Sequence, residues 1–268
     1  MLDVRLETLP EGRVRVGRAG EGEPVVLLHG YPDNLRVWER LALDSRRVIA
    51  FDWPGMGQSD PWPGGATPYD MAERLRRLLD RWEIGKATIV AEDMGGQAAL
   101  AFAARHPERV RRLAVMNTLA FPDAPTSWEI RVLRKFGWNR ALLRRFPGLL
   151  FRRCERTFLP KGVALPPDVR EDLWSCFRRP ATRDFIIRLC AGYEGSLARL
   201  PSLYGDIQAP TLVLWGERDK HFPVVHAERL HAAVPGSRLE VVPGGEHWMM
   251  WHAAEEVARR LRSFFDAT

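Results

Sequence analysis

The stretch Thr88-Ile89-Val90-Ala91-Glu92-Asp93-Met94-Gly95-Gly96-Gln97 decides how this 268-residue chain is read. A β-branched, apolar run leads directly into a helix-forming segment, so a strand passes into a helix at Asp93. Small residues stand two positions before the aspartate (Ala91) and two after it (Gly95). That spacing allows a sharp strand-to-helix bend without side-chain clashes and presents the middle side chain at the C-terminal edge of a sheet. Unpaired N–H groups of the helix start lie beside it. An aspartate that only caps the helix is the structural alternative. A serine at such a bend serves acyl transfer. A carboxylate is already charged at neutral pH, needs no base to activate it, and suits attack at a saturated electrophilic carbon.

Outward from this bend the chain alternates strands and helices. Apolar runs at 25–28, 47–51, 88–91, 113–116, 211–214 and 239–242 read as strands buried on both faces of a parallel sheet. Segments 2–8 and 12–18, split by Pro10-Glu11-Gly12, alternate polar and apolar residues and predict an antiparallel edge hairpin. Helical patterns cover 69–82, 97–105, 224–234 and 252–265, which makes the chain a doubly wound α/β protein. Residues 119–203 break the rhythm with helices and turns rich in Arg, Trp and Pro. They are expected to form a helical cap inserted into a core made of 1–118 and 204–268.

Three further segments fall where chemistry needs them. His29-Gly30-Tyr31-Pro32 follows a strand, and the Tyr31 N–H can join that of Met94 in an oxyanion hole. Asp219 closes Trp215-Gly216-Glu217-Arg218-Asp219 at a strand end, and His247 lies on the loop after the last strand. Its position favours His247 over His221 and His252. His29 is expected to hold its own turn, and Asp52 and Ser59 to shape the Gly55-Met56-Gly57 loop. Glu92 adjoins Asp93, but neighbouring strand residues point to opposite faces, so little contact between them is expected.

Composition excludes several classes. No apolar run is long enough to span a bilayer, and Met1–Leu6 lacks the pattern of a secretory signal. Cys154, Cys176 and Cys190 form no CxxC pair and read as reduced thiols, consistent with a cytoplasmic location. The net charge of +6 comes largely from arginines at 131–156. They alternate with Ile130, Leu133, Phe136, Leu142, Leu143 and Phe146, the pattern of amphipathic helices with a solvated basic face. The expected partner is a small-molecule substrate, with no nucleic acid, membrane, cofactor or metal, in a monomer or homodimer.

The set His29-Gly30-x-Pro32, Asp52-x-Pro54-Gly55-x-Gly57-x-Ser59, the Asp93 bend, Asp219 and His247 resembles the α/β-hydrolase superfamily. Within it, the aspartate resembles that of epoxide hydrolases and of haloalkane and haloacetate dehalogenases. The resemblance implies a mostly parallel eight-stranded sheet flanked by helices, with an inserted helical cap. It also implies catalysis by Asp93, Asp219 and His247 through an alkyl ester on Asp93. Leaving-group residues depart from each branch: Met94 and Gln97 stand where dehalogenases have Trp or Arg, and the cap has no tyrosine before Tyr193. Tyr31 and His247-Trp248 favour an epoxide. Met116-Asn117-Thr118 and the tryptophans Trp128, Trp138 and Trp174 favour a halide. Tyr193, Trp128 and Trp174 are the candidate pocket residues, and a non-catalytic binding protein is the alternative of another class.

Overall fold

The computed structural model describes residues 2–43, 46–135 and 137–267 and, within these, all side chains but those of Leu133, Lys135, Asn139 and Glu194. Phe136 and the Leu133 side chain therefore lie outside the described residues. Eight strands form one sheet: β1 (Asp3–Leu9), β2 (Gly12–Ala19), β3 (Pro24–Leu28), β4 (Arg47–Phe51), β5 (Ala87–Glu92), β6 (Val110–Met116), β7 (Thr211–Gly216) and β8 (Arg238–Val242). Their spatial order is β1-β2-β4-β3-β5-β6-β7-β8. The β1–β2 hairpin is antiparallel, β2 joins β4 antiparallel, and every pairing beyond is parallel. This is the expected α/β-hydrolase fold.

All six residues of β5 are buried, which explains why, Thr88 apart, its sequence is apolar up to Glu92. The chain runs from β3 out to β4, then returns to β5 on the other side of β3. That reversal opens a crevice beyond the carboxyl ends of β3 and β5. The Tyr31 loop and Asp93 leave the sheet there. Helix α1 (Pro68–Arg81) starts with a capping box between Thr67 and Asp70 and packs on α2 (Asp93–Arg105), which lies on β5 and β6.

Between β6 and β7 the chain forms α3 (Trp128–Lys135), α4 (Gly137–Arg145), α5 (Pro147–Phe158), α6 (Pro167–Phe177), α7 (Pro180–Leu197) and a 3-10 turn at Leu200–Asp206. Buried Arg15 ties these helices to the sheet, donating to Asp172 on α6 at 2.8 Å while Asp52 lies 3.6 Å away. Asn34 donates to the same Asp172. After β7 come α8 (Val225–Ala233), α9 (Met249–His252) and α10 (Ala254–Asp266). The basic helices depart from the amphipathic expectation: Leu143 is buried and Ile130 half-buried, but Leu142 and Phe146 are exposed. All three cysteines are free and buried, and among the described residues no helix is long and apolar enough to cross a membrane.

The tight seat of α2 on β3 gives a first test. A Cβ on Gly95 would stand 2.4 Å from the Leu28 carbonyl oxygen, and backbone cannot move aside cheaply. Gly95→Ala is expected to lower unfolding free energy by about 2 kcal/mol, measured from denaturant midpoints. A loss near zero would mean the elbow is looser than described.

Candidate active site

Asp93 occupies the left-handed region, at φ +46°. Few side chains tolerate this, and a strained residue at a strand–helix junction is held there by its surroundings. Its N–H donates to the Asn117 carbonyl at 3.2 Å, and the Thr118 hydroxyl donates to its carbonyl. Gly30 lies so close that a Cβ there would stand 2.3 Å from the Asp93 Cβ. The Tyr31 N–H therefore reaches Asp93 Oδ1 at 2.9 Å, and the Met94 N–H also donates to the carboxylate.

His247 faces this group from the opposite side. Its Nε2 stands 3.7 Å from Asp93 Oδ2, too far for a hydrogen bond, and has no other partner among the described residues. Its Nδ1 meets Asp219 Oδ2 at 2.8 Å. The other Asp219 oxygen accepts from the backbone N–H groups of His221 and Phe222. Burial disfavours charge on the His247 ring, but Asp219, Asp93 and Asp33 outweigh it and push the imidazole up to about 9. Burial raises the Asp93 carboxyl, opposed by His247 and the two backbone donors. Burial works against the Asp219 charge as well, yet its bond to His247 holds it low. One imidazole thus sits between two carboxyl groups, both of which favour its protonated form.

Residues 23–254 match the family model described as alpha/beta hydrolase fold. The chain belongs to the alpha/beta hydrolase fold family. It is 29% identical over 271 residues to a 2-hydroxy-6-oxononadienedioate/2-hydroxy-6-oxononatrienedioate hydrolase of Cupriavidus pinatubonensis, covering 95% of this chain and 91% of the relative. Among solved structures, the epoxide hydrolase CorEH superposes with a TM-score of 0.84 at 19% identity, over 99% of both chains. The haloalkane dehalogenase DatA of Agrobacterium tumefaciens superposes at 0.83 and 20% identity, over 98% of this chain and 96% of that one. At these identities the two structures speak for the fold.

In this alpha/beta hydrolase the cavity above Asp93 has a volume of only about 30 Å³, room for about one water. Tyr31, Ile130, Arg134, Cys190, Tyr193 and Phe222 are among its walls. The Tyr31 hydroxyl is buried without a hydrogen-bond partner among the described residues, while that of Tyr193 bonds to Gln97. Burial raises both phenols well above 10, so both are neutral donors. Two expected pocket residues are elsewhere. Trp174 packs on Phe151 and Phe177 inside the cap, and Trp128 is 57% exposed on its outer face. A helix pattern alone does not say which face of a cap helix meets the core.

The supporting residues behave as structural groups. His29 Nε2 accepts from the Trp53 N–H while Nδ1 meets the Gly30 carbonyl, and burial lowers this imidazole to about 4. Asp52 accepts from the N–H groups of Leu35 and Gln58, and Ser59 donates to the Asp52 carbonyl. His252 accepts from the Glu246 N–H, and His221 meets Ser127.

Three residues, Asn117, Glu92 and Asp33, have roles that sequence reasoning did not assign. Asn117, at φ +39°, accepts from the Gly216 N–H and donates to the carbonyls of Glu246 and His247, so one amide joins the elbow, the acid strand and the histidine loop. Glu92, expected to make little contact with Asp93, accepts from the Gly30 N–H at 2.8 Å. It therefore braces the loop that supplies the Tyr31 donor. Buried Asp33 is a charged neighbour of Glu92; burial raises both carboxyls, and Asp33 raises that of Glu92 further.

Because His247 is raised from 6.5 to about 9, folding takes up a proton there. The resulting stabilisation is complete below pH 6.5 and is lost as pH rises through 9. Asp219→Asn is expected to melt well below the native protein at pH 6 and to approach it by pH 9.5. Melting curves across that range test this; a constant gap would contradict the imidazolium.

Proposed function

We propose that Asp93 forms an ester with a small organic electrophile, an epoxide in preference to a haloalkane, and that a water activated by His247 hydrolyses it. The observation that carries this reading is the Asp93 carboxylate, held at a strained bend with one oxygen on the Tyr31 N–H and the other facing His247 Nε2 at 3.7 Å. With Oδ1 held, Oδ2 is the oxygen free to attack. It forms a C–O bond to one epoxide carbon while the ring C–O bond breaks, leaving an alkoxide. The neutral hydroxyls of Tyr31 and Tyr193 are suited to donate to that oxygen.

Proton balance favours the epoxide. Alkylation removes the Asp93 charge, one of the supports of the imidazolium, so His247 acidity rises once the ester forms. An alkoxide needs one proton and the imidazolium holds one to give. The neutral ring left behind can then take a proton from water as it attacks the ester carbonyl. The oxyanion on Oδ1 meets the Tyr31 and Met94 N–H groups, each worth on the order of 3 kcal/mol. Collapse returns the Asp93 carboxylate and releases a diol, consuming one water.

A halide would leave unprotonated and would need its own donors. Among the described residues lining the cavity none is Trp or Asn, and the Asn117 amide is already engaged with Gly216 and the His247 loop. A second reading draws on Arg134 in the cavity wall and on the Cupriavidus relative: hydrolysis of a carbonyl substrate bearing carboxylates. It ranks lower because acyl transfer to a carboxylate passes through an anhydride. A pure binding protein has no use for the Asp93–His247–Asp219 arrangement.

The test pairs His247→Gln with panels of small epoxides and haloalkanes, read by intact-protein mass spectrometry. In this variant, where the alkoxide must take its proton from solvent through the Tyr31 and Tyr193 hydroxyls, epoxides are expected to add their full mass, one per chain, at Asp93, more slowly than in the native protein. Tyr31→Phe and Tyr193→Phe should each slow that addition by about 100-fold. An adduct with haloalkanes alone would move the reading to dehalogenation. No adduct in either panel, with Asp93→Ala retaining turnover, would remove it.

A further inference from the structure

Helices α3–α5 turn a face outward that combines large apolar side chains with unpaired arginines. Trp128 is 57% exposed, Trp138 61%, Leu142 47%, Phe146 47% and Leu149 63%. Exposed apolar groups gathered in one place mark a contact surface. Trp128, Leu142, Phe146 and Leu149 line one shallow groove of about 260 Å³.

The charges follow the same face. Trp128, Leu142 and Leu149 each have an arginine three residues on, at Arg131, Arg145 and Arg152, hence beside them on the same helix. Arg145 lies over the Phe146 ring at 5.1 Å from its centre. Arg156 follows Arg152 by one turn. These four arginines are exposed and, among the described residues, make no ion pair. From 128 to 158 the chain carries nine basic residues and two acidic ones, Glu129 and Glu155. Both carboxylates are already taken, by Arg153 and Arg170.

We infer that this face of the cap docks on an anionic lipid bilayer, with Trp128, Phe146 and Leu149 entering the headgroup region and Arg131, Arg145, Arg152 and Arg156 meeting lipid phosphates. Charge decides the occupant. A second copy of the chain, related by a two-fold axis, would bring the same unpaired arginines together with no carboxylates to offset them. An anionic leaflet neutralises all of them at once and accepts aromatic side chains at its interface. The inference is independent of the chemistry at Asp93, but the two are joined in space. Helix α3 presents Trp128 outward and Ile130 and Arg134 to the cavity, so the docking helix is also a wall of the pocket.

The experiment is flotation of the full chain with vesicles of phosphatidylcholine, alone or with 30 mol% phosphatidylglycerol (about the anionic fraction that gives a clear surface potential). The expected result is binding to the anionic vesicles only, weakened by added salt. Each arginine near such a surface is worth roughly fivefold in partitioning, so Arg145→Glu/Arg152→Glu should bind at least about tenfold more weakly. Phe146→Ser/Leu149→Ser should lose binding to a similar degree. The exposed positions make loss of fold avoidable, and circular dichroism of each variant verifies it. Absence of binding to anionic vesicles, or binding that survives both double substitutions, overturns the inference. So does a dimer that the Phe146→Ser/Leu149→Ser substitutions turn into a monomer, which would assign the face to a second copy.

Discussion

The geometry of the site depends on one constraint: Asp93 is held in the left-handed backbone region at the point where β5 becomes α2. In that conformation its side chain leaves the sheet toward the Tyr31 loop, where a backbone N–H waits at 2.9 Å. Such a conformation costs on the order of 1 kcal/mol or more, and the surrounding contacts offset it. Asn117 and Thr118 grip the Asp93 backbone, Gly95 lets the helix lie against β3, and Gly30 leaves room for the side chain. Each of these is a small residue or a short polar one at a strand end, as the close approach requires.

Around that carboxylate the protein concentrates charge that water would otherwise dissolve. Asp219, Asp93 and the His247 ring are buried within a few ångströms of each other. The two carboxyls favour the protonated ring, and in the proposed reaction esterification of Asp93 would withdraw one of them. The same imidazole would then hold a proton before the first bond forms and accept one afterwards. Behind it, Glu92 fixes the Gly30 N–H, with buried Asp33 among its charged neighbours. The oxyanion loop is thus anchored by two carboxyls, one from Asp93 and one from its neighbour.

Much of this was legible before any coordinates. The Ala91–Asp93–Gly95 spacing placed the bend, because steric demands at a strand–helix junction are local and show in sequence. Asp219 and His247 were legible as residues just past strand ends. Asn117 was not, since its role lies in a bond to Gly216, 99 residues away. Alternation of strand faces could separate Glu92 from Asp93 but could not show that its long side chain reaches Gly30 from the last position of β5. The cap was the least legible part. Its helices were visible as patterns, but which face meets the core depends on docking, so Trp128 and Trp174 fell outside the cavity and Leu142 and Phe146 fell on the surface.

The most direct measurement is a single turnover of an epoxide in H₂¹⁸O with protein in excess, followed by peptide mass spectrometry. If the carboxylate attacks, the first diol carries an unlabelled oxygen drawn from the enzyme, and ¹⁸O appears in the peptide containing Asp93. If water attacks the substrate directly, the diol carries the label, the Asp93 peptide does not, and the account of this site as an ester-forming centre is wrong.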